Sequence, residues 1–428
     1  MEIPASSSRP VPYNANVKIL ISAGEASGDM YGAQLIEALR TRASELRFAG
    51  QSGPAVPKQV LPLEFFGAGG EHMRAAGCDI VVDAKDLAVV GITEVLSHLP
   101  KILGLYRNLI RAADQRHPDL AVVIDSPGFN WRVARQMRKR GIPVVYYVCP
   151  QFWAWRQGRV KLLRKYVDKA LVIFPFEEKF YRDRGVDATF VGHPLANLPA
   201  PTVSRGDYAA GQGLDAAKPW ITLMPGSRRK EVRMNLSTIL EAADRLGDGY
   251  EFLLPVARTL EPSFFQQLIG AAADPPPGES PQRRHRIHLV HDSLPALYHS
   301  RAGIVASGTA TVEAAIMGTP FVMVYRVSAL TYALGKPRVK VPHFAMVNLI
   351  AGQEIVPELV QHKFTLENVV GELEKIIPDG EPRTRMIGGL ASVREKLRQS
   401  SNAPEHPAEK AAEIVLQMLG ARAGTRRL

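Results

Sequence analysis

In residues 302–320, AGIVASGTATVEAAIMGTP, an apolar run from Ile304 to Ala306 stops at Ser307-Gly308-Thr309-Ala310 and leads into a helical pattern carrying Glu313. The spacing predicts a strand that delivers small residues onto a helix N-terminus. The first amides of a helix lack intrahelical partners and carry the positive end of its dipole, so an anion such as a diphosphate is held there. Gly308 and Ala310 let it come close, and Glu313, one turn in, suits the paired hydroxyls of a ribose. A capping box does not account for Glu313, which lies four residues after Thr309 and three after Ala310. Taken alone, these residues also fit an ordinary small-residue turn before a helix.

Three further segments carry groups of this kind. Met224-Pro225-Gly226-Ser227-Arg228-Arg229-Lys230-Glu231 repeats the strand-to-turn pattern with positive charge. Gly226 and Ser227 can present amides to a phosphate, and the Arg228 guanidinium can neutralise it through two parallel hydrogen bonds. The run Leu120 to Ile124 is a buried-strand pattern ending in Asp125, followed by Ser126 and Pro127. In open parallel sheets ligands lie beyond the carboxyl ends of the strands, so Asp125 is a candidate catalytic carboxylate; a turn-capping aspartate is the alternative. Gly24-Glu25-Ala26-Ser27-Gly28-Asp29 also leaves a strand for a helix. It has neither P-loop nor dinucleotide spacing, and its carboxylates would repel a diphosphate, so Ser27, Gly28 and Asp29 are read as contacts to sugar hydroxyls or as a capped turn. The absence of an Asp-x-Asp motif means that leaving-group charge is expected to be met by protein groups, without a metal or cofactor.

The elements that must position these groups follow from the alternation of apolar runs and helical patterns. Strands are expected at 18–22, 120–124, 144–148 and 170–174, then at 221–224, 252–255, 287–289, 303–306 and 321–325. Such alternation predicts an α/β chain with two Rossmann-like, doubly wound domains facing a cleft. The boundaries are placed at 17–198 for the first domain, 199–219 for a Pro/Gly/Ala-rich linker, 220–395 for the second domain, and 396–428 for a C-terminal helix and tail that packs back on the first. Residues 51–70 and 272–286 read as surface insertions, and residues 1–16 as a leader without the apolar core of a signal peptide.

A chain of 428 residues accommodates two full cores. Two cysteines, Cys78 and Cys149, make no disulfide framework and no metal-ligand pair, which favours a reducing compartment. A net charge of +11 points to an anionic partner. Basic residues gather over 132–140, where Val133 and Met137 are spaced to face a core, and over Trp153 to Lys161, where Trp153, Trp155 and Arg156 suit a membrane interface. No nucleic-acid-binding signature accompanies them. The stretch Leu87 to Ile110 is apolar at helical spacing; core packing accounts for much of it, while Val89, Val90 and Leu96 are candidates for a lipid-contacting patch.

Together, SAGEASGD (22–29), IDSPGFN (124–130), YYVCPQFWAWRQGRV (146–160), FPFEEKFY (174–181), VGHP (191–194), PGSRRKEV (225–232), ASGTATVEAAIMGTPFVMVYR (306–326) and VNLIAGQEIVPEL (347–359) resemble the lipid-A-disaccharide synthase family of inverting GT-B glycosyltransferases. The resemblance implies transfer of 2,3-diacylglucosamine from its UDP carrier to the 6-hydroxyl of 2,3-diacylglucosamine 1-phosphate, giving a β-1,6-linked disaccharide. It implies Asp125 as general base, and Gly226, Ser227, Arg228, residues 307–310, Glu313 and Asn348 around the UDP donor. It also implies a cytoplasmic protein held peripherally on the inner face of an anionic inner membrane, and a homodimer. Asn197 departs from the aspartate that the family often has there. A UDP-sugar epimerase would share the nucleotide turn without needing the apolar segment at 87–110. A non-enzymatic basic protein would need neither phosphate-type turn.

Overall fold

The computed structural model describes residues 16–45, 62–87, 92–257, 259–273, 287–336, 339, 341–398 and 406–425. The chain divides into two compact units, Met1–Pro194 with Ser401–Leu428, and Leu195–Ser400. The first unit holds seven parallel strands, β1 (Val17–Ala23), β2 (Leu63–Gly69), β3 (Cys78–Asp83), β4 (Leu120–Ile124), β5 (Val144–Tyr147), β6 (Lys169–Val172) and β7 (Ala188–Phe190), in the order β3-β2-β1-β4-β5-β6-β7. The second holds β8 (Trp220–Met224), β9 (Glu251–Pro255), β10 (Ile287–Val290), β11 (Ala302–Ala306), β12 (Phe321–Tyr325) and β13 (Glu358–Val360), in the order β10-β9-β8-β11-β12-β13. Both are Rossmann-like: the strand order reverses at β1/β4 and at β8/β11, and loops leaving neighbouring strands there turn to opposite faces of the sheet.

The central strands read as continuous apolar runs because helices cover both faces; every residue of β4, β5 and β11 is buried. The basic segment at 132–140 is the outer face of the helix Pro127–Lys139, whose Val133, Ala134 and Met137 face the core. The C-terminal helix Pro407–Thr425 packs on the helix Ala26–Glu45 within the first unit, with Arg42 and Glu409 approaching to 3.9 Å.

Two expectations are corrected. Residues 63–69, part of the expected insertion at 51–70, form β2, a strand inside the sheet, paired with β1 and β3. Their glycines are structural: a Cβ on Gly67 would lie 1.8 Å from the Ile21 carbonyl oxygen, so only glycine permits that approach of β1. The expected linker contains the helix Arg205–Gln212, whose Tyr208 is buried against Trp220 and belongs to the core of the second unit. The leader 1–15, residues 46–61 and residues 274–286 lie outside the described residues.

Candidate active site

In the first unit the switch point is formed by the ends of β1 and β4, where Ala23 pairs with Ile124. β4 does not run smoothly into its helix. Asp125 has φ 46° and Ser126 φ 45°, and Val148, just past β5, has φ 56°. A left-handed conformation costs an ordinary residue about 1–2 kcal/mol, so three of them at the ends of two adjacent strands mark stored strain. The turn is packed from the other side by Gly24, where a Cβ would stand 2.3 Å from the Ser126 hydroxyl oxygen.

This turn sets the Asp125 side chain at the carboxyl edge of the sheet. Burial pushes its carboxyl up to about 6, and the negative charge of Glu25 adds to the rise, against the stabilising backbone N–H of Ser126. Such a carboxylate is ionised above pH 6 yet basic enough to take a proton from a hydroxyl during bond formation. Sequence reading did not find Asn130, which is fully buried and whose amide donates to the carbonyls of Ile124 (2.8 Å) and Asp125 (2.9 Å).

The other residues expected beside Asp125 have different roles. Asp29 is buried, and its carboxylate accepts the backbone N–H groups of Gly70 (2.6 Å), His72 (3.0 Å) and Met73 (3.1 Å). It caps the helix Glu71–Ala75, which has no side-chain cap of its own at Gly70, so most of its accepting capacity is spent within the fold. Gly28 is buried, with space for a Cβ only 3.3 Å from that of Ala23, whereas Ser27 is exposed. Trp153 is not a membrane contact: it is buried, and its indole N–H donates to Glu177 at 2.7 Å. Glu177 also accepts the N–H groups of Ile173 and Phe174, yet burial dominates and pushes its carboxyl up to about 7.

Trp155 is 46% exposed, with the Arg156 guanidinium stacked 3.9 Å from its ring centroid. Val89 and Val90 lie outside the described residues. Leu96 falls in the helix Ile92–Arg116, its side chain likewise outside them. Further along this helix Leu109 is buried, Ile102, Leu105, Tyr106 and Ile110 lean on the core, and Leu103 is exposed.

In the second unit the switch point brings two turns together, since Met224 of β8 pairs with Val305 of β11. The first enters the helix Arg229–Leu246 through Gly226 (φ 127°), Ser227 and Arg228. Glu231, which sequence reading passed over, shapes it: one carboxylate oxygen accepts the Ser227 N–H (3.2 Å) and the other the Arg228 guanidinium (3.0 Å). A side chain at Gly226 would collide with Glu231, its Cβ lying 2.8 Å from that of the glutamate. Arg228 remains largely exposed.

The second turn enters the helix Thr309–Met317 through Gly308, whose φ of 137° and ψ of −160° suit glycine, and a Cβ there would meet nothing within 4 Å. Ser307 fixes the turn by donating to the Phe344 carbonyl at 2.9 Å. Thr309 is exposed, Ala310 half-buried, and no side chain caps the helix. Glu313, one turn along, accepts from the Ser293 hydroxyl at 3.2 Å, and burial raises its carboxyl above the usual range. Asn348 is not aimed at a ligand: its side chain is spent on Val356 O and Glu358 Oε1, and on the N–H groups of Ile355 and Val356.

Solved structures share this architecture of two Rossmann-like units. The UDP-GlcNAc 2-epimerase from Neisseria meningitidis bound to UDP-GlcNAc matches with a TM-score of 0.55 at 11% identity, over 95% of this chain and 100% of that one. A calicheamicin glycosyltransferase matches with a TM-score of 0.54 at 16% identity, over 96% and 100%. These likenesses establish the fold. The sequence is more specific: the family model described as lipid-A-disaccharide synthetase matches residues 19–412. The chain is 52% identical over 402 residues to lipid-A-disaccharide synthase of Koribacter versatilis (94% of this chain, 98% of that one), and 40% identical over 409 residues to that of Geobacter metallireducens (95% and 98%). The chain belongs to the lipid-A-disaccharide synthetase family. Its activity is that of a glycosyltransferase, which moves 2,3-diacylglucosamine from UDP to the 6-hydroxyl of 2,3-diacylglucosamine 1-phosphate.

The capping role of Asp29 is directly measurable. Asp29→Ala leaves two buried N–H groups and one half-buried one without their acceptor, so the free energy of unfolding in denaturant should fall by about 3 kcal/mol. An unchanged unfolding midpoint would show that the carboxylate is dispensable to the fold.

Proposed function

We propose that the two switch points divide the reaction between them, Asp125 serving the acceptor and the β8 and β11 turns serving the donor. Asp125 takes the proton of the acceptor 6-hydroxyl as that oxygen attacks the anomeric carbon. The bond to UDP breaks on the opposite face of the sugar, which gives the β linkage. The departing diphosphate is neutralised by the amides of Gly226 and residues 308–310 and by the Arg228 guanidinium, while Glu313 binds the ribose. The observation that carries this reading is Asp125 itself: a carboxyl pushed up to about 6 on a strained turn at the end of β4.

The sign of the pH dependence follows. A base works only when deprotonated, so kcat/KM should fall about tenfold per pH unit below about pH 6 and level off above it. Asp125→Asn should keep UDP affinity and lose about 10²–10⁴ in kcat. A variant that retains a third of wild-type turnover would remove Asp125 from the mechanism.

On the donor side, Glu313→Ala should weaken UDP binding about ten- to hundredfold, as expected for a lost charge-assisted hydrogen bond. Calorimetry with UDP decides the matter, since unchanged affinity is incompatible with a ribose contact.

The lipid substrates support a position at a membrane, which we assign to the cytoplasmic face of an inner membrane. No helix among the described residues is long and apolar enough to cross a bilayer. Contact is therefore assigned to the exposed Trp155, Arg156, Arg159 and Lys161, and to the apolar segment around 87–103. Trp155→Ala should reduce co-sedimentation with anionic vesicles and leave turnover of short-chain, soluble analogues unchanged. Equal binding by variant and wild type would place the contact elsewhere.

A further inference from the structure

The left-handed turn at 125–126 needs something to hold it, because a chain leaving a β-strand for a helix relaxes to ordinary dihedrals unless its peptide groups are fixed. Two buried side chains from different elements do this. Asn130, in the first turn of the helix Pro127–Lys139, donates through its amide nitrogen to the carbonyls of Ile124 and Asp125, and at 3.1 Å to that of Ser22 on β1. Carbonyl oxygens only accept, so they fix the NH2 end of the amide toward themselves, and its oxygen accepts from the Ser22 hydroxyl at 2.7 Å. Tyr146, on β5, donates its hydroxyl to the same Asp125 carbonyl at 2.8 Å. The N–H of Asp125 completes the grip by donating to the Tyr147 carbonyl at 3.1 Å. Asp125 is thus the residue at which β1, β4, β5 and the following helix are tied together, and the ties go to its peptide groups.

We infer that Asn130 and Tyr146 are positioning residues for Asp125, fixing its peptide in the left-handed conformation that aims its carboxylate; the inference rests on the reading of Asp125 as the base. A rotation of the 125–126 peptide would break both bonds to the Asp125 carbonyl and swing the Cα–Cβ bond away from its present direction. The cost to catalysis is steep, since a displacement of about 1 Å at a reacting group lowers rates about a hundredfold. Ser22 sets the Asn130 amide and so belongs to the same device at one remove.

The test uses full-length protein, the UDP-linked donor and the lipid acceptor. Tyr146→Phe removes one hydroxyl and keeps the ring that packs against Trp131. It should lower kcat about tenfold, with KM for both substrates and UDP affinity within about twofold of wild type. Asn130→Ala should lower kcat further. Tyr106→Phe is the control: this hydroxyl, in the same unit, donates to the Arg132 carbonyl at 3.4 Å and makes no tie to Asp125, so its loss should leave kcat unchanged. The decisive variant combines Tyr146→Phe with Asp125→Asn. If Tyr146 acts through Asp125, the tyrosine change should cost nothing further in the asparagine background, although it costs about tenfold alone.

A Tyr146→Phe protein that is folded and turns over at the wild-type rate, beside an inactive Asp125→Asn protein, overturns the positioning role and leaves the base in place. Full additivity of the two changes overturns it as well. An active Asp125→Asn protein overturns the base assignment and the positioning role with it.

Discussion

Everything in this chain that can do chemistry depends on one topological constraint, the reversal of strand order at β1/β4 and again at β8/β11. Loops leaving two neighbouring strands toward opposite faces open a crevice between them, and the residues just past the strand ends become its floor. Here those residues are Asp125 and the 24–29 turn in one unit, and the 226–228 and 307–310 turns in the other. The two crevices differ chemically. One carries carboxylates and a strained peptide, the other helix N-termini without side-chain caps, an arginine, and the carboxylates of Glu231 and Glu313. A proton acceptor needs the former, and a departing diphosphate the latter.

The constraint also explains where the energy of the fold is concentrated. The left-handed Asp125 at the end of β4 is unfavourable locally and is held by hydrogen bonds from buried side chains. Asp29 makes a comparable tie, binding the start of the helix Ala26–Glu45 to the end of β2 through three backbone N–H groups. Glu177 is a third instance, one carboxylate gathering the indole of Trp153 and two backbone amides. In each case buried polar side chains fix the place where a strand gives way to a helix.

Much of this was legible in the sequence. Continuous apolar runs marked nine of the strands, because a strand buried on both faces has no polar side to obscure it. Small residues before a helical pattern marked the turns after β8 and β11, and the place of Asp125 at a strand end was legible from the apolar run before it. β2 was not, since the glycines that let β1 approach it read as a loop. Nor were the roles of Asn130 and Glu177, which rest on partners that local pattern does not reveal: Asn130 meets Ser22 from 108 positions away. Trp153 misled for the same reason. Next to Trp155 and Arg156 it reads as part of an interfacial cluster, and only the buried carboxylate of Glu177 shows that it faces inward. Asn348 and Asp29 have the residue types of ligand contacts, but the protein itself takes up all the side-chain hydrogen bonds of the first and three acceptor sites of the second.

A crystal structure of the full-length protein with UDP tests the division of labour most directly. The account predicts the diphosphate on the amides of Gly226 and residues 308–310 with Arg228 against it, the ribose hydroxyls on Glu313, and no phosphate contact from residues 24–29. A diphosphate seated instead on the Gly24–Asp29 turn of the first unit would contradict it.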